Sequence, residues 1–287
     1  MSVAAKAEAV REPSVPIAPR PPHRRWTRFV LPTYTALVML YLVTPILIMI
    51  LYAFNQGTGV KVGFKWQGFT LAWYRQLFAI PDLTEALRNS LVVAVISTAI
   101  ATVMGTLVAL ALVRYRFRGK RVMDLVMFMN IAAPEIVLGA ALLSFFISLG
   151  IPRGLVTIII AHVMFNIAYV TVTVRARLSG FDLSVEEAAQ DLGANPWTTF
   201  WKVTLPLIFP GVLAGALLAF ALSIDDFVIT SFNAGPVTTF PLWVYSASRV
   251  GIPPQVFVMG TLIFAFGVSL AVVNLLLQWR KARPAAS

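Results

Sequence analysis

The feature that most constrains the fold is a long run without charge, because residues 29–60 contain no Asp, Glu, Lys or Arg. A helix over about residues 29–54 is long enough to cross a membrane, for which roughly 20 apolar residues suffice. Further apolar segments follow at 89–113, 122–149, 155–174, 207–232 and 257–279. With 59% hydrophobic and 12% charged residues, the sequence predicts an all-α membrane protein with six transmembrane helices.

The segments outside these spans define the limits of the membrane domain. Residues 1–28 are rich in Pro, Ala and Arg and lack apolar periodicity, which predicts a disordered cytoplasmic tail. Residues 29–281 form the predicted six-helix domain, and residues 282–287 form a short C-terminal tail. Residues 233–255 are interrupted by several prolines and therefore do not form a seventh span.

The positive charges predict the orientation. Of 23 Lys and Arg residues, 17 lie in the N-terminal tail, after the second span, near the fourth and fifth spans, and at the C-terminus. By the positive-inside rule, both termini are cytoplasmic. The net charge of +11 therefore reflects topology and contact with membrane lipid, and we expect no nucleic acid partner. The sequence has no cysteine, which excludes a disulfide framework, and no metal site is predicted.

A polar insert at residues 184–206 separates the fourth and fifth spans. Ser184 and Glu187 have the spacing of a capping box, in which each side chain bonds the other's backbone N–H. One apolar stripe follows on a two-turn helix: Val185, Ala188, Ala189 and Leu192. Gly193 can adopt the left-handed conformation that ends such a helix. Because so short a helix is unstable alone, its stripe must pack against another surface.

A second short helix is predicted directly after the first. Asn195 and Pro196 suit its N-cap and first helical position. Pro206 is expected to end it, because the residue before a proline avoids the α region. One face of this helix collects Trp197, Phe200, Trp201 and Thr204. Since the insert lies on the cytoplasmic side, the missing partner surface is expected to belong to a cytoplasmic protein.

The insert resembles the EAA loop of binding-protein-dependent ABC importer permeases. The matching residues are Glu187, Ala188, Ala189, Gly193, Val203, Leu205 and Pro206, with Val203 where the family usually has Ile. The resemblance extends over residues 29–281 and is strongest with one of the two permease subunits of the polyamine (spermidine/putrescine) importers. It is carried there by residues 134–136, 161–163, 174–178, 223–226, 231–232 and 235–236.

The resemblance implies a type I ABC importer permease fold in the bacterial inner membrane, with residues 179–206 as a coupling loop. The residues that it assigns to coupling with an ATPase are Glu187, Ala188, Ala189, Asp191, Gly193, Leu205 and Pro206. It also implies a second permease subunit in a heterodimer, two ATPase subunits, and a periplasmic or lipid-anchored polyamine-binding protein. ATP and magnesium are then expected on the ATPase subunits. This chain lacks a phosphate-binding loop motif, so we expect it to bind no cofactor and to be no enzyme itself.

Three acidic side chains within the predicted spans suit a cationic substrate. A charge inside a bilayer costs at least about 2.5 kcal/mol, so it usually faces a cavity or a partner. We place Asp226, Asp225 and Glu135 on the substrate path. Because neighbours on a helix point about 100° apart, we expect one of the two Asp residues to face the path and favour Asp226. Each acid could instead bond backbone at a helix break. Trp243 and Tyr245 in the outer loop are typical of anchors at the membrane surface. They are further candidates for the substrate path, because aromatic faces can hold cations.

Other functions stay open at this stage. A permease of the same fold could carry ferric ion, thiamine or an opine, and the acidic residues are the argument for polyamines. A proton-coupled carrier usually has an internal repeat with interrupted helices, and none is visible here. An intramembrane aspartyl protease requires two carboxylates that converge on one water, which neighbours on one helix cannot provide. His162, within the fourth span, is expected to pack or form hydrogen bonds rather than bind a ligand.

Overall fold

The computed structural model describes residues 27–57, 65–180, 182 and 184–282. Most of the predicted N-terminal tail and residues 283–287 lie outside the described residues. Thr27 and Arg28, which the sequence assigned to the tail, begin the first helix instead. The chain divides into two compact units, one ending at Ile48 and the other beginning at Met49, and each is described by itself.

The described residues are mainly helical. In chain order the helices are α1 (Thr27–Tyr52), α2 (Ala72–Arg75), α3 (Pro81–Arg114), α4 (Lys120–Ala132), α5 (Glu135–Ser148), α6 (Leu155–Leu178), α7 (Ser184–Asp191), α8 (Pro196–Thr199), a π-helical turn (Phe200–Thr204), α9 (Leu205–Ile224), α10 (Val228–Asn233), α11 (Phe240–Val250) and α12 (Pro254–Ala282). In the described part, five helices are long and apolar enough to cross a membrane, or six if α4 and α5 count as one broken span. This confirms the all-α membrane architecture.

Helices α3, α6 and α9 pack closely through small residues. Each of two helices has a row of buried small residues at every fourth position. These residues are Ala101, Gly105 and Ala109 on α3, and Gly211, Gly215 and Ala219 on α9. A Cβ atom on Gly105 would lie 2.7 Å from Cβ of Val170 on α6, and one on Gly211 would lie 2.6 Å from Cβ of Arg177. Such approach requires small residues at the crossing. The contact surface for both rows is therefore α6 of the same chain.

The third predicted span is broken. Helices α4 and α5 meet at an angle of 111°, so the expectation of a single span over residues 122–149 is wrong in its geometry. Ala133 is extended, with φ −70° and ψ 138°, because the ring of Pro134 disfavours the α region in the residue before it. Glu135 begins α5 directly after this break. Its position in the membrane is therefore set by the bend between α4 and α5.

The fifth span begins and ends earlier than predicted. Pro206 does not end a short helix, because the chain runs as one apolar span from Pro196 to Ile224. The π-helical turn explains the continuity: the N–H of Leu205 bonds to the carbonyl of Phe200, five residues back. The wider turn accommodates a proline ring that would clash with the carbonyl four residues before it in an α-helix. At the other end, residues 225–227 separate α9 from α10.

The ends of α7 are formed partly as predicted. Its N-terminal acceptor is Asp182, whose Oδ1 accepts from the N–H of Ser184 at 3.0 Å. Ser184 is the first residue of the helix and not its N-cap, so the predicted capping box is wrong. Hydrogen bonds from the backbone and hydroxyl of Ser184 lower the pKa of the Asp182 carboxyl. The C-terminal prediction is confirmed: Gly193 has φ +90°.

Two crossed backbone bonds complete this C-terminus. The N–H of Gly193 bonds to Gln190 at 2.8 Å, and that of Ala194 bonds to Ala189 at 3.1 Å. These two bonds form a Schellman motif, which requires the left-handed conformation that Gly193 adopts. The next helix starts as expected, since Asn195 Oδ1 accepts from the N–H of Thr198 at 2.8 Å. Between α10 and α12, α11 has 11 residues, too few to span a membrane, as predicted.

Candidate functional site

The apolar stripe of α7 is largely exposed in the described chain. Val185 is 45% exposed and Leu192 is 90% exposed. Ala188 is also exposed, and Ala189 is partly buried. Beyond them, Trp197 and Trp201 expose about half of their surface or more and stack edge to face with ring centroids 5.6 Å apart. An apolar face this open is typical of a docking surface.

The other predicted coupling residues lie around this face. Glu187, Asp191 and Gly193 are exposed, as is Pro206. Leu205 instead packs against the buried cluster between α3, α6 and α9. The coupling residues named from the sequence are thus together at one end of the molecule, with Leu205 on its inner side.

The sequence reasoning missed Glu186, which holds α7 to the rest of the chain. Glu186 is only 8% exposed, although its neighbours in the helix are open. Its Oε1 accepts hydrogen bonds from the guanidinium of Arg114 and from the hydroxyl of Thr204. Since Glu186 lies outside the apolar stripe, its sequence position suggests a solvated side chain. Nothing in the sequence around Glu186 predicts that residues of α3 and of the π-helical turn both contact its carboxylate.

The acidic pair lies at the break between α9 and α10. Asp226 is largely enclosed, with a side chain only 5% exposed. Its Oδ2 accepts from the backbone N–H of Thr230 at 2.8 Å and from the Thr230 hydroxyl at 2.7 Å. The carboxylate therefore satisfies the first turn of α10. Asp226 therefore bonds backbone at a helix break, which was the alternative to a substrate contact in the sequence analysis.

His162 connects this carboxylate to a buried polar network. Its Nε2 lies 3.3 Å from Asp226 Oδ2 and 2.9 Å from Thr230 Oγ1. Because the Thr230 hydroxyl donates to Asp226, Nε2 is assigned as the protonated nitrogen that faces both groups. On its other side, Nδ1 lies 2.7 Å from Ser223 Oγ, which is 3.0 Å from Ser97 Oγ. The expectation that His162 forms hydrogen bonds is confirmed.

Asp225 differs from its neighbour because it is exposed. It lines a cavity of about 490 Å³ whose other walls are mostly apolar and aromatic: Ile224, Phe227, Phe240, Pro241, Val244, Tyr245, Ser248, Gly260 and Ile263. A lone carboxylate beside apolar walls suits a ligand with a cationic group on an aliphatic chain. The geometry thus gives the two adjacent acids different surroundings.

Glu135 lies on the same side of the molecule as the break. It is exposed at the start of α5 and is close enough to interact electrostatically with Asp225. The packing of α5 against α10 explains this position. A Cβ atom on Gly139 would lie 2.7 Å from the ring of Phe232, and Asn233 Nδ2 donates to the Gly139 carbonyl at 3.5 Å.

The two aromatic residues named from the sequence have different positions. Tyr245 lines the cavity and packs against Phe227, with ring centroids 4.7 Å apart and the ring planes tilted by 44°. The guanidinium of Arg249 donates to its hydroxyl at 2.8 Å and lies 5.0 Å from its ring centroid. Trp243 packs against the buried cluster around Leu83 and Met259. Tyr245 is therefore beside Asp225, whereas Trp243 belongs to the core.

Among the described residues, no group of three or more His, Asp or Glu side chains is arranged to hold a metal ion. The broken helices, the open face of α7 and the acids at the α9–α10 break define a membrane transport subunit. Residues 101–282 match the family model described as "Binding-protein-dependent transport system inner membrane component". The chain belongs to this family.

Its relatives include polyamine permeases. The chain is 40% identical over 244 residues to the spermidine/putrescine transport system permease protein PotC of Escherichia coli K12, covering 85% of this chain and 91% of the relative. It is also 40% identical over 231 residues to the putrescine transport system permease protein PotI of the same organism, covering 78% and 81%. These relatives are transport permease subunits.

Solved structures support the fold. The chain is similar to a bacterial ABC transporter involved in the import of the acidic polysaccharide alginate, with a TM-score of 0.67 over 90% of this chain and 96% of that chain, at 14% identity. An amino acid ABC transporter aligns with a TM-score of 0.54 over 74% of this chain and 100% of that chain, at 16% identity. At such identities the likeness shows an ABC importer permease fold and nothing about the solute.

Proposed function

We propose that this chain is a permease subunit of an ATP-driven importer that carries polyamines such as spermidine or putrescine across the bacterial inner membrane. The observation that carries the proposal is the 40% identity over 85% of the chain to a spermidine/putrescine permease. The single carboxylate of Asp225 in a mostly apolar cavity supports the same substrate class. The excess of Lys and Arg on one side supports cytoplasmic termini.

The open face of α7 supports coupling to a separate ATPase subunit. Val185, Ala188 and Leu192 would pack into a groove of that subunit, with the Schellman turn at Gly193 fixing where the helix ends. The partners that complete the complex are a second permease subunit, two ATPase subunits and a periplasmic or lipid-anchored binding protein. ATP and magnesium bind to the ATPase subunits. These subunits move the permeases between inward-open and outward-open states.

The arrangement of the acids supports Asp225 as the contact for a substrate amine. Asp225 lines the cavity, whose aliphatic walls can cover the methylene chain of a polyamine. Glu135 is a second anionic contact for another amine. The Oδ2 atom of Asp226 is engaged by Thr230 and His162, so this residue holds the α9–α10 break in place. The order suggested by the sequence, with Asp226 first, is therefore reversed in this proposal.

The alternatives differ in what they require of the same residues. The solved relatives of this fold import solutes as different as alginate and amino acids, so the fold leaves the solute open. Asp225 and its surroundings favour a cation with apolar segments over thiamine or an opine. An aspartyl protease would need Asp226 to share a water with another carboxylate, and its bonds to Thr230 and His162 do not support that.

Uptake by the whole complex tests the proposal. The chain is co-purified with its partner subunits, reconstituted in liposomes and supplied with ATP and the binding protein. We expect ATP-dependent accumulation of labelled spermidine or putrescine, and none of ferric ion or thiamine in parallel assays. Accumulation of ferric ion or thiamine without polyamine would contradict the substrate class. ATP hydrolysis by this chain alone would contradict the division of labour between subunits.

A further inference from the structure

Glu186 connects three elements at the end of the molecule that bears α7. It belongs to the first turn of α7. Arg114, which donates to it, is the last residue of α3. Thr204, which also donates to it, ends the π-helical turn from which α9 continues. One carboxylate oxygen therefore ties a short surface helix to the ends of two spans.

The junction formed by Glu186, Arg114 and Thr204 is largely buried, so each of its two charges needs the other as a partner. The side chains of Arg114 and Glu186 are 22% and 11% exposed, and Thr204 is fully buried. A buried carboxylate retains its charge only with a partner, and removing one member of such a pair leaves the other uncompensated. Helix α7 has eight residues, too few to be stable alone. The junction thus determines where α7 is held.

The two helices that meet Glu186 also lead to the acidic residues. Ser97 on α3 and Ser223 on α9 are in contact, with their Oγ atoms 3.0 Å apart. Ser223 in turn contacts His162, the partner of Asp226. Arg114 and Ser97 are about 25 Å apart along α3 at 1.5 Å per residue. Helices α3 and α9 therefore connect the Glu186 junction to the polar network.

We propose that Glu186 is a positioning residue that transmits the movement of α7 to α3 and α9. This inference rests on the proposed function, because it assumes that an ATPase subunit grips the open face of α7. Glu187, next to it, is exposed and available to that subunit. Glu186 faces the other way and passes the displacement on through Arg114 and Thr204.

The test separates transmission from simple attachment. The reconstituted complex is assayed for ATP hydrolysis and for spermidine uptake, and the ratio of uptake to hydrolysis is compared between variants. Glu186→Gln is expected to lower this ratio at least about tenfold while hydrolysis continues. Thr204→Val removes the bond to the π-helical turn but leaves the ion pair, and we expect a fall of about threefold. Arg114→Lys retains the positive charge beside Glu186 and should keep most of the wild-type ratio.

A matched control is the other ion pair of this region. Arg175 donates to Asp124 between α6 and α4, and both side chains are more than a third exposed. Asp124→Asn removes a comparable charge pair that does not touch α7. We expect its uptake ratio to stay within about twofold of the wild type. An equal fall in Asp124→Asn and Glu186→Gln overturns the inference, because the effect is then one of surface charge.

The remaining outcomes are decisive as well. An intact complex in which Glu186→Gln and Thr204→Val both keep the wild-type ratio overturns the inference and leaves the proposed function standing. If Glu186→Gln does not assemble, Thr204→Val alone decides, because it leaves no unpaired charge. A wild-type complex that hydrolyses ATP but takes up no polyamine contradicts the proposed function instead, before any variant is compared.

Discussion

His162 on α6 and Asp226 at the α9–α10 break form a buried pair, with Nε2 and Oδ2 separated by 3.3 Å and side chains 2% and 5% exposed. The pair joins two elements that are 64 residues apart in sequence, and Thr230 contacts both members. Since Asp226 is held from this side, its neighbour Asp225 is directed to the cavity. The position of one acid thus explains the exposure of the other.

Replacing His162 is expected to destabilise the protein by leaving Asp226 buried without its partner. For His162→Leu we expect a loss of about 3 kcal/mol in the free energy of unfolding, because an uncompensated buried charge is costly. Thermal unfolding of the complex in detergent measures it. The double variant His162→Leu with Asp226→Asn removes the charge as well and should recover part of the loss. A double variant no more stable than the single one would show that the pair is unimportant.

The two adjacent acids should respond differently to neutralisation. Asp225→Asn is expected to reduce spermidine uptake at least about tenfold with an unchanged unfolding temperature, because this carboxylate is exposed on the cavity. Asp226→Asn is the comparison, and it should lower the unfolding temperature as well as uptake, because it weakens bonds to Thr230 and His162. Uptake assays and thermal unfolding on the same preparations separate the two. Wild-type uptake in Asp225→Asn argues against the substrate contact.

Gly193→Val is expected to abolish uptake while the protein still reaches the membrane. A β-branched residue is strongly disfavoured at φ +90°, so the Schellman turn and the end of α7 must change. No described atom lies within 4 Å of the added Cβ position, so a steric clash inside the chain is not the cause. Gly180→Val is the control, since Gly180 is equally open and has no left-handed conformation. Equal uptake in both variants would remove the coupling role of this turn.

Gly105→Ala is expected to destabilise the contact between α3 and α6. The added Cβ would lie 2.7 Å from Val170 and 3.0 Å from the carbonyl of Ile167, and overpacking of this kind costs about 1–3 kcal/mol. Gly267→Ala on α12 is the control, because nothing lies within 4 Å of its Cβ position and alanine favours a helix by about 0.5–1 kcal/mol. Thermal unfolding should therefore shift in opposite directions. Shifts in the same direction would contradict the close packing.

Much of the fold follows from local patterns in the sequence. The apolar segments, Asn195 as a cap and Gly193 as a helix end are each set by the chemistry of neighbouring residues, and each is found in the structure. One local prediction was wrong, because Asp182 and not Ser184 caps the start of α7. The other wrong predictions concern prolines. Pro134 breaks a predicted span, and Pro206 is accommodated inside one. A proline's effect depends on whether the backbone around it can widen or bend, which packing decides.

The sequence by itself determined that this chain crosses a membrane and presents a short apolar helix, because hydrophobicity, periodicity and capping are local properties. Only the tertiary structure decided that Glu186 and not Glu187 is buried, and that Asp226 pairs with His162 while Asp225 faces a cavity. Adjacent residues of one type have the same local signal. Their surroundings are supplied by Arg114, Thr204 and His162, which lie far away in the chain, and only folding brings these groups within bonding distance.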